Sequence, residues 1–367
     1  MRMSTPVVPI EAVDVAVYVI PTDEPESDGT FEWTSTPLVV ATAFAGGAQG
    51  LGYSYAHRAA ADVIADTLAP VVRGQDALAV DASWNAMLHA VRNVGLPGIA
   101  ATAISAVDTA LWDLKARLLD LPLVSLLGSV RDSVPIYGSG GFTSYSESRL
   151  REQLGNWVSE GIRSVKMKVG RDPSVDVTRV AAARDAIGSH AELFVDANGA
   201  YSQKQALDFA GVFREYGVSW FEEPVSSDDL DGLRLLRDRA PPGMDVAAGE
   251  YGFDVWYFRR MLEAGAVDVL QADATRCCGI SGFLHAGALC EAAMLPLSSH
   301  TAPSVHVHLG CAVQRMRHLE WFHDHVRIEH MLFDGALMLE NGVLRPDHSR
   351  PGLGLVMKNV DAQRYAA

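Results

Sequence analysis

The sequence predicts an α/β protein built on a closed (β/α) barrel, with a mixed α+β module ahead of it. Three observations carry this reading. Eight short apolar runs lie between Val134 and Leu319, separated by helical segments of a dozen or more residues. From the second run onward, each ends in a polar or ionisable residue. Before Val134 the pattern differs, with β-rich runs first and helices after them. Alternating strands and helices imply a parallel sheet, and eight repeats imply closure, in a span shorter than the roughly 250 residues typical of such barrels.

In the first third, residues 11–20, 37–44 and 49–55 are β-rich and separated by turn residues, as in a meander. Residues 21–36 (PTDEPESDGTFEWTST) hold Pro, Gly, Ser and five acids with no period, which predicts a long loop acting as a lid. Residues 57–73, 82–92 and 99–119 read as helices. In the last, Ile104, Val107, Ala110, Leu111 and Leu114 make one apolar stripe.

The barrel runs are 134–137, 164–168, 192–195, 218–221, 245–248, 267–271, 295–298 and 317–319. Asp172-Pro173 reads as an N-cap with Pro at the first helical position, and Val177, Val180, Ala183 and Ile187 form a buried stripe. Ser202 and Gln205 form a capping box, and Gly217 stands at a helix stop. The expected division is 1–130 for the N-terminal module, 131–325 for the barrel and 326–367 for a C-terminal segment.

The chain has 367 residues, enough for two domains or a barrel with an addition at roughly 150 residues per domain. With 49% hydrophobic and 20% charged residues it is globular in composition. A net charge of −15 argues against nucleic acid or acidic lipid as a partner, since both are held by clustered Lys and Arg. No apolar run reaches the roughly 18 residues of a membrane span. The N-terminal stretch carries Glu11 and Asp14 and lacks a signal-peptide core. Four cysteines, two of them the adjacent Cys277 and Cys278, make no disulfide framework, so a reducing, cytoplasmic setting is expected.

The charged run ends are ordered. They are Lys166-Met167-Lys168, Asp196 with Asn198 two residues on, Glu222, Glu250, Asp273, His300 and Glu320. In a parallel barrel all of them lie at the C-terminal mouth, where active sites are built. Three converging carboxylates, Asp196, Glu222 and Glu250, need a cation, and oxygen-only ligands favour Mg²⁺. A single acid would more often cap the next helix; three in succession point to a site. Period two puts Lys166 and Lys168 on one face, where like charges near a divalent ion lower one pKa and free a neutral amine as a base. A K-x-K pair alone is an ordinary solvated pair and gains weight only from the acids beside it. Asp273 and His300 end adjacent strands, as an orienting carboxylate and its imidazole do. Other histidines (His306, His308, His323, His325) lack the ligand spacing of a zinc site.

Taken together, these residues resemble the enolase superfamily, in its mandelate racemase subgroup. Residues 103–128 resemble that family's first signature and 193–224 its second, and the resemblance covers nearly the whole chain. It implies a modified TIM barrel with an N-terminal α+β capping domain that the C-terminal segment completes. It implies one Mg²⁺ per active site on Asp196, Glu222 and Glu250, and catalytic roles for Lys166, Lys168, Asp273, His300 and Glu320. The implied chemistry removes the proton next to a carboxylate, with Lys166 and a protonated Glu320 on that carboxylate. Lys168 and His300 then stand on opposite faces of the α-carbon. Dehydration of an acid sugar is the expected outcome, with racemisation or epimerisation of a 2-hydroxy acid as the alternative. Asn198 is expected to hold the α-hydroxyl, with Trp33, Tyr53 and Tyr137 as further substrate contacts. The partner is then a small-molecule carboxylate, and relatives' habits imply a homo-oligomer. Cys278 replaces a glycine common in relatives after strand six and is expected to reshape the pocket. The five lid acids oppose an anionic substrate only weakly, about 0.4 kcal/mol each at 10 Å in water.

Overall fold

The structure, a computed structural model, describes residues 7–367. An antiparallel meander comes first: β1 (Ala12–Ser27), β2 (Glu32–Ala45) and β3 (Ala48–Ser54). Gly46 and Gly47 join β2 to β3 with φ of +57° and +77°, the left-handed pair that a two-residue hairpin requires. The expected loop over 21–36 is instead a hairpin. β1 runs on to Ser27 and β2 begins at Glu32, with Glu26 opposite Trp33 and an irregular register between Pro21 and Glu26. Asp28 Oδ1 accepts from the backbone N–H of Thr30 and Phe31 and closes the tip. The acids hid this strand because its support comes from distant chain: the Ser144 hydroxyl donates to Pro25 O at 2.7 Å, and Arg327 Nη2 to Pro21 O at 2.6 Å.

Helix Ile99–Leu118 backs the meander. It carries more than one apolar stripe, since 15 of its 20 residues are buried. One side meets β3 so closely that a Cβ at Gly50 would lie 2.2 Å from Ala110 O. Across from it, helix Gly279–Ala292 of the barrel presents Ser281, whose N–H and hydroxyl donate to the Asp108 carboxylate.

The eight expected runs form eight parallel strands: β4 (Val134–Gly140), β5 (Ser164–Lys168), β6 (Glu192–Asp196), β7 (Val218–Glu222), β8 (Asp245–Ala248), β9 (Val269–Ala272), β10 (Leu297–Ser299) and β11 (Met316–Phe322). They pair in sequence, and β11 pairs with β4, so the sheet closes. The helix signals hold as well. Asp172 accepts from Ser174 N–H, Ser202 and Gln205 form the capping box, and Gly217 follows the Tyr216 C-cap with φ +70°. Inside the barrel, Tyr137, Phe194, Trp220, Ala247 and Val269 pack as a floor beneath the C-terminal mouth. After helix His323–Leu332 the chain returns to the meander, where Ala367 N–H donates to Val17 O at 3.0 Å. Among the described residues no helix is long and apolar enough to cross a membrane.

Candidate active site

Strand register assembles the site. Lys168 stands beside Asp196 across β5 and β6, and Asp196 beside Glu222 across β6 and β7. Glu250 follows β8, Asp273 follows β9 and His300 follows β10, each at the same mouth. Lys168, Asn198, Glu250, Asp273 and His300 line a cavity of about 300 Å³. Lys166, Asp196, Glu222 and Glu320, all fully buried, form the layer around and beneath it.

Asp196, Glu222 and Glu250 each bring a carboxylate oxygen within 4.8 Å of the others. Glu250 Oε2 is buried and accepts no hydrogen bond, although His300 Nε2 lies 3.3 Å away. Three buried oxygen donors with no thiolate among them suit a hard divalent ion that keeps open positions, which is the chemistry of Mg²⁺. Burial pushes the Glu222 carboxyl well above its usual range, and Asp196 pushes it further. Burial also acts against Asp196, but Lys168 and Lys166 outweigh it and hold that carboxyl low.

The lysines depart from expectation. Burial favours a neutral Lys168, yet Asp196, which accepts a short hydrogen bond from its Nζ, outweighs burial and holds it well above the usual lysine range. Lys166 is likewise raised: burial opposes its charge, and Glu222 and Glu320 restore it. Its Nζ sits 2.8 Å from Glu320 Oε1 and 3.5 Å from Asp196 Oδ2. Carboxylates, rather than a second lysine, are the nearest charges to each ammonium. Glu320 departs too. Burial would protonate it, but Lys166 and then His300 hold it well below the usual range, and Thr301 N–H donates to its Oε2 at 2.8 Å. The expected proton donor is, in these surroundings, an acceptor.

His300 Nδ1 meets Asp273 Oδ2 at 2.7 Å. Asp273 is buried, which raises its pKa, but the hydrogen bond and charge of His300 overcome this and keep it ionised. Its other oxygen accepts from the Thr275 N–H and hydroxyl. Asn198 takes a left-handed φ of +46°, its N–H donates to Asp196 Oδ1, and its side-chain oxygen is buried and free of hydrogen bonds.

Three expected positions fall elsewhere. Tyr137 belongs to the barrel floor, with Lys166 Nζ 5.2 Å over its ring, because its strand turns it inward one layer below the mouth. The Tyr53 hydroxyl donates to Glu329 at 2.6 Å in the buried seam between meander and barrel. Its neighbour Tyr55 reaches the cavity instead. Cys278 does not line this cavity; it packs at the helical side of the N-terminal module, its carbonyl accepting from Trp84 Nε1. Its φ of +66° is a backbone that glycine adopts without strain. Trp33 does line the cavity, held by a 2.8 Å hydrogen bond from its Nε1 to Glu26. Of the four histidines considered for zinc, His306 and His308 face backbone carbonyls and His325 stacks on Tyr55. His323 meets acids, Asp23 at 2.9 Å with Glu26 nearby, and ties the hairpin to the barrel.

Sequence reasoning missed Arg276 and Thr301, and considered His325 only as a zinc ligand. Arg276 Nη1 lies 3.2 Å from Glu250 Oε1, and its guanidinium stacks 5.1 Å over Tyr251. Its place three residues past Asp273, in the turn after β9, was the available signal. His325 stacks on Tyr55 with ring centroids 3.4 Å apart.

The chain is similar to known proteins over nearly its whole length. A family described as enolase C-terminal domain-like matches residues 149–362, and one described as mandelate racemase / muconate lactonizing enzyme, N-terminal domain, matches 25–128. The L-talarate/galactarate dehydratase of Salmonella typhimurium is 31% identical, over 97% of this chain and 90% of that protein. A mandelate racemase/muconate lactonizing enzyme-like protein from Rubrobacter xylanophilus superposes with a TM-score of 0.96 at 54% identity, covering 98% of this chain and all of that one. A racemase from Streptomyces coelicolor A3(2), solved with bound magnesium, superposes at 0.92 with 30% identity, covering 98% and 100%.

Proposed function

The chain belongs to the mandelate racemase / muconate lactonizing enzyme family of the enolase superfamily and is a magnesium enzyme, and from that premise we propose that it dehydrates an acid sugar to a 2-keto-3-deoxy acid. The observation that carries this is the placement of Lys168 and His300 on one cavity beside the three carboxylates, an acid–base pair that a binding protein does not need.

Asp196, Glu222 and Glu250 would hold Mg²⁺, which would supply Lewis-acid stabilisation of charge on the substrate carboxylate. Lys166, fixed between the barrel floor and the cavity by Glu222 and Glu320, adds a positive charge on the same side. Asn198 offers its free side-chain oxygen to the α-hydroxyl. Lys168 and His300 approach the α-carbon from different strands; a cation shared by Asp196 would relieve the charge that holds Lys168 protonated, and the configuration at the α-carbon would then decide which of the two takes the proton. The other donates a proton to the departing β-hydroxyl, which leaves as water, and the resulting enol tautomerises to the ketone. Asp273 fixes the His300 tautomer. An arriving substrate carboxylate competes with Glu320 for Lys166, which favours proton uptake by Glu320 on binding.

A panel of mono- and diacid sugars assayed with Mg²⁺ for carbonyl formation tests this. Keto-acid release from at least one member is expected. Exchange of the α-proton with solvent deuterium, without any carbonyl product, would replace dehydration by racemisation or epimerisation. Neither exchange nor product would remove the catalytic reading.

A further inference from the structure

Part of the cavity lining comes from the hairpin, away from the metal-binding carboxylates. The cavity's far wall includes Asp28, Phe31, Trp33, Ser35, Tyr55 and Phe322. Among the described residues lining the cavity, the basic groups are Lys168, Arg276, His300 and His325. Lys168 and His300 serve the floor. Arg276 is committed there too, 3.2 Å from Glu250 Oε1, 3.8 Å from Asp273 Oδ2 and stacked on Tyr251. His325 is buried and stacked on Tyr55, and burial keeps it neutral. No cation is left for a second carboxylate.

The hairpin adds the opposite charge. Four of its five acids are engaged away from the cavity: Asp23 with His323, Glu24 with Arg149, Glu32 with Arg171, and Glu26 with the Trp33 ring nitrogen. Asp28 alone among the five lines the cavity. Its Oδ1 is used by Thr30 and Phe31 in closing the tip, while Oδ2 makes no hydrogen bond among the described residues. That oxygen accepts a hydroxyl and repels an anion. The neighbouring Phe31 and Trp33 rings, stacked 6.1 Å apart, offer an apolar face to the C–H edge of a carbon chain.

Resting on the dehydratase reading for the reaction, we propose that this site selects monocarboxylate acid sugars, of the aldonate type with an uncharged far end, and that Asp28 is the residue that excludes dicarboxylates. The similar talarate/galactarate dehydratase is named for a diacid, so on this proposal the two proteins differ in the substrate they take.

The test compares aldonate–aldarate pairs of one configuration, gluconate with glucarate and galactonate with galactarate, on the whole protein with Mg²⁺. Both keto-acid formation and calorimetric binding are read. The best aldonate is expected to exceed its aldarate by about 10-fold or more in kcat/KM and in affinity. Asp28→Asn keeps an oxygen for the turn and removes the charge; it is expected to narrow that ratio by about 5-fold or more through better aldarate binding. Glu32→Gln, which makes the same change in net charge outside the cavity, is expected to leave the ratio alone. An aldarate handled as well as its aldonate, or equal effects from the two variants, would overturn the proposal. Selective aldonate binding without keto acid from either class would remove the dehydration while leaving the selection standing.

Discussion

His300 gives Nδ1 to Asp273 Oδ2 at 2.7 Å and therefore meets the cavity with Nε2, which lies 3.3 Å from Glu250 Oε2. The carboxylate thus decides which nitrogen does chemistry. Asp273→Asn keeps the shape and the turn bonds to Thr275 but loses the charge. We expect kcat to fall about 10²–10⁴-fold. A kcat within about threefold of wild type would make Asp273 a packing residue only.

Lys168 and His300 face the same cavity from β5 and from the end of β10, so removing one leaves the other in place. Lys168→Ala and His300→Asn are each expected to lose about 10²–10⁴ in rate. Solvent-deuterium exchange separates their roles. The variant that keeps α-proton exchange but makes no keto acid has lost the acid for the β-hydroxyl. The one that loses exchange as well has lost the base. Full activity in either removes that residue from the reaction.

The carboxylate cluster sets the metal dependence. Glu222 is pushed up by burial and by Asp196, so its charge beside the other two carboxylates costs stability unless a cation shares them. Exhaustive chelation is expected to abolish turnover and to lower Tm, and added Mg²⁺ to restore both. Turnover that survives chelation would contradict the assignment of Asp196, Glu222 and Glu250.

The mouth of the barrel was readable because β5 to β11 are short apolar runs and their following charges have no reason to recur unless one rim collects them. Layer and seam were not readable. Tyr137 and Tyr53 look alike in sequence, yet one ring fills the barrel floor and the other bonds Glu329 across the seam. Only the tilt of a strand and the docking of the meander decide that. The hairpin over 21–36 was hidden for a related reason. Its strands carry acids in place of an alternating apolar pattern, and what holds them extended comes from Ser144, Asp324 and Arg327.

Glu26 allows that docking to be weighed through pH. It is buried in the hairpin, one oxygen accepting from Trp33 Nε1 and the other accepting nothing. Burial, and then the charge of Asp324, push its carboxyl up to about 9. In the unfolded chain a glutamate ionises near pH 4.3. Below that pH both states hold the proton and stability does not depend on this group. Between there and about pH 9 the unfolded chain has released the proton while the fold retains it, so stability falls as pH rises, by at most about 1.4 kcal/mol per pH unit. Glu26→Gln keeps the acceptor for Trp33 and cannot ionise. Its Tm should match wild type near pH 4 and exceed it by a growing margin from pH 5 to pH 9. A margin that stays flat over that range, measured by thermal melts in matched buffers, would mean that Glu26 is ionised in the fold and that the hairpin holds a charge against Asp324.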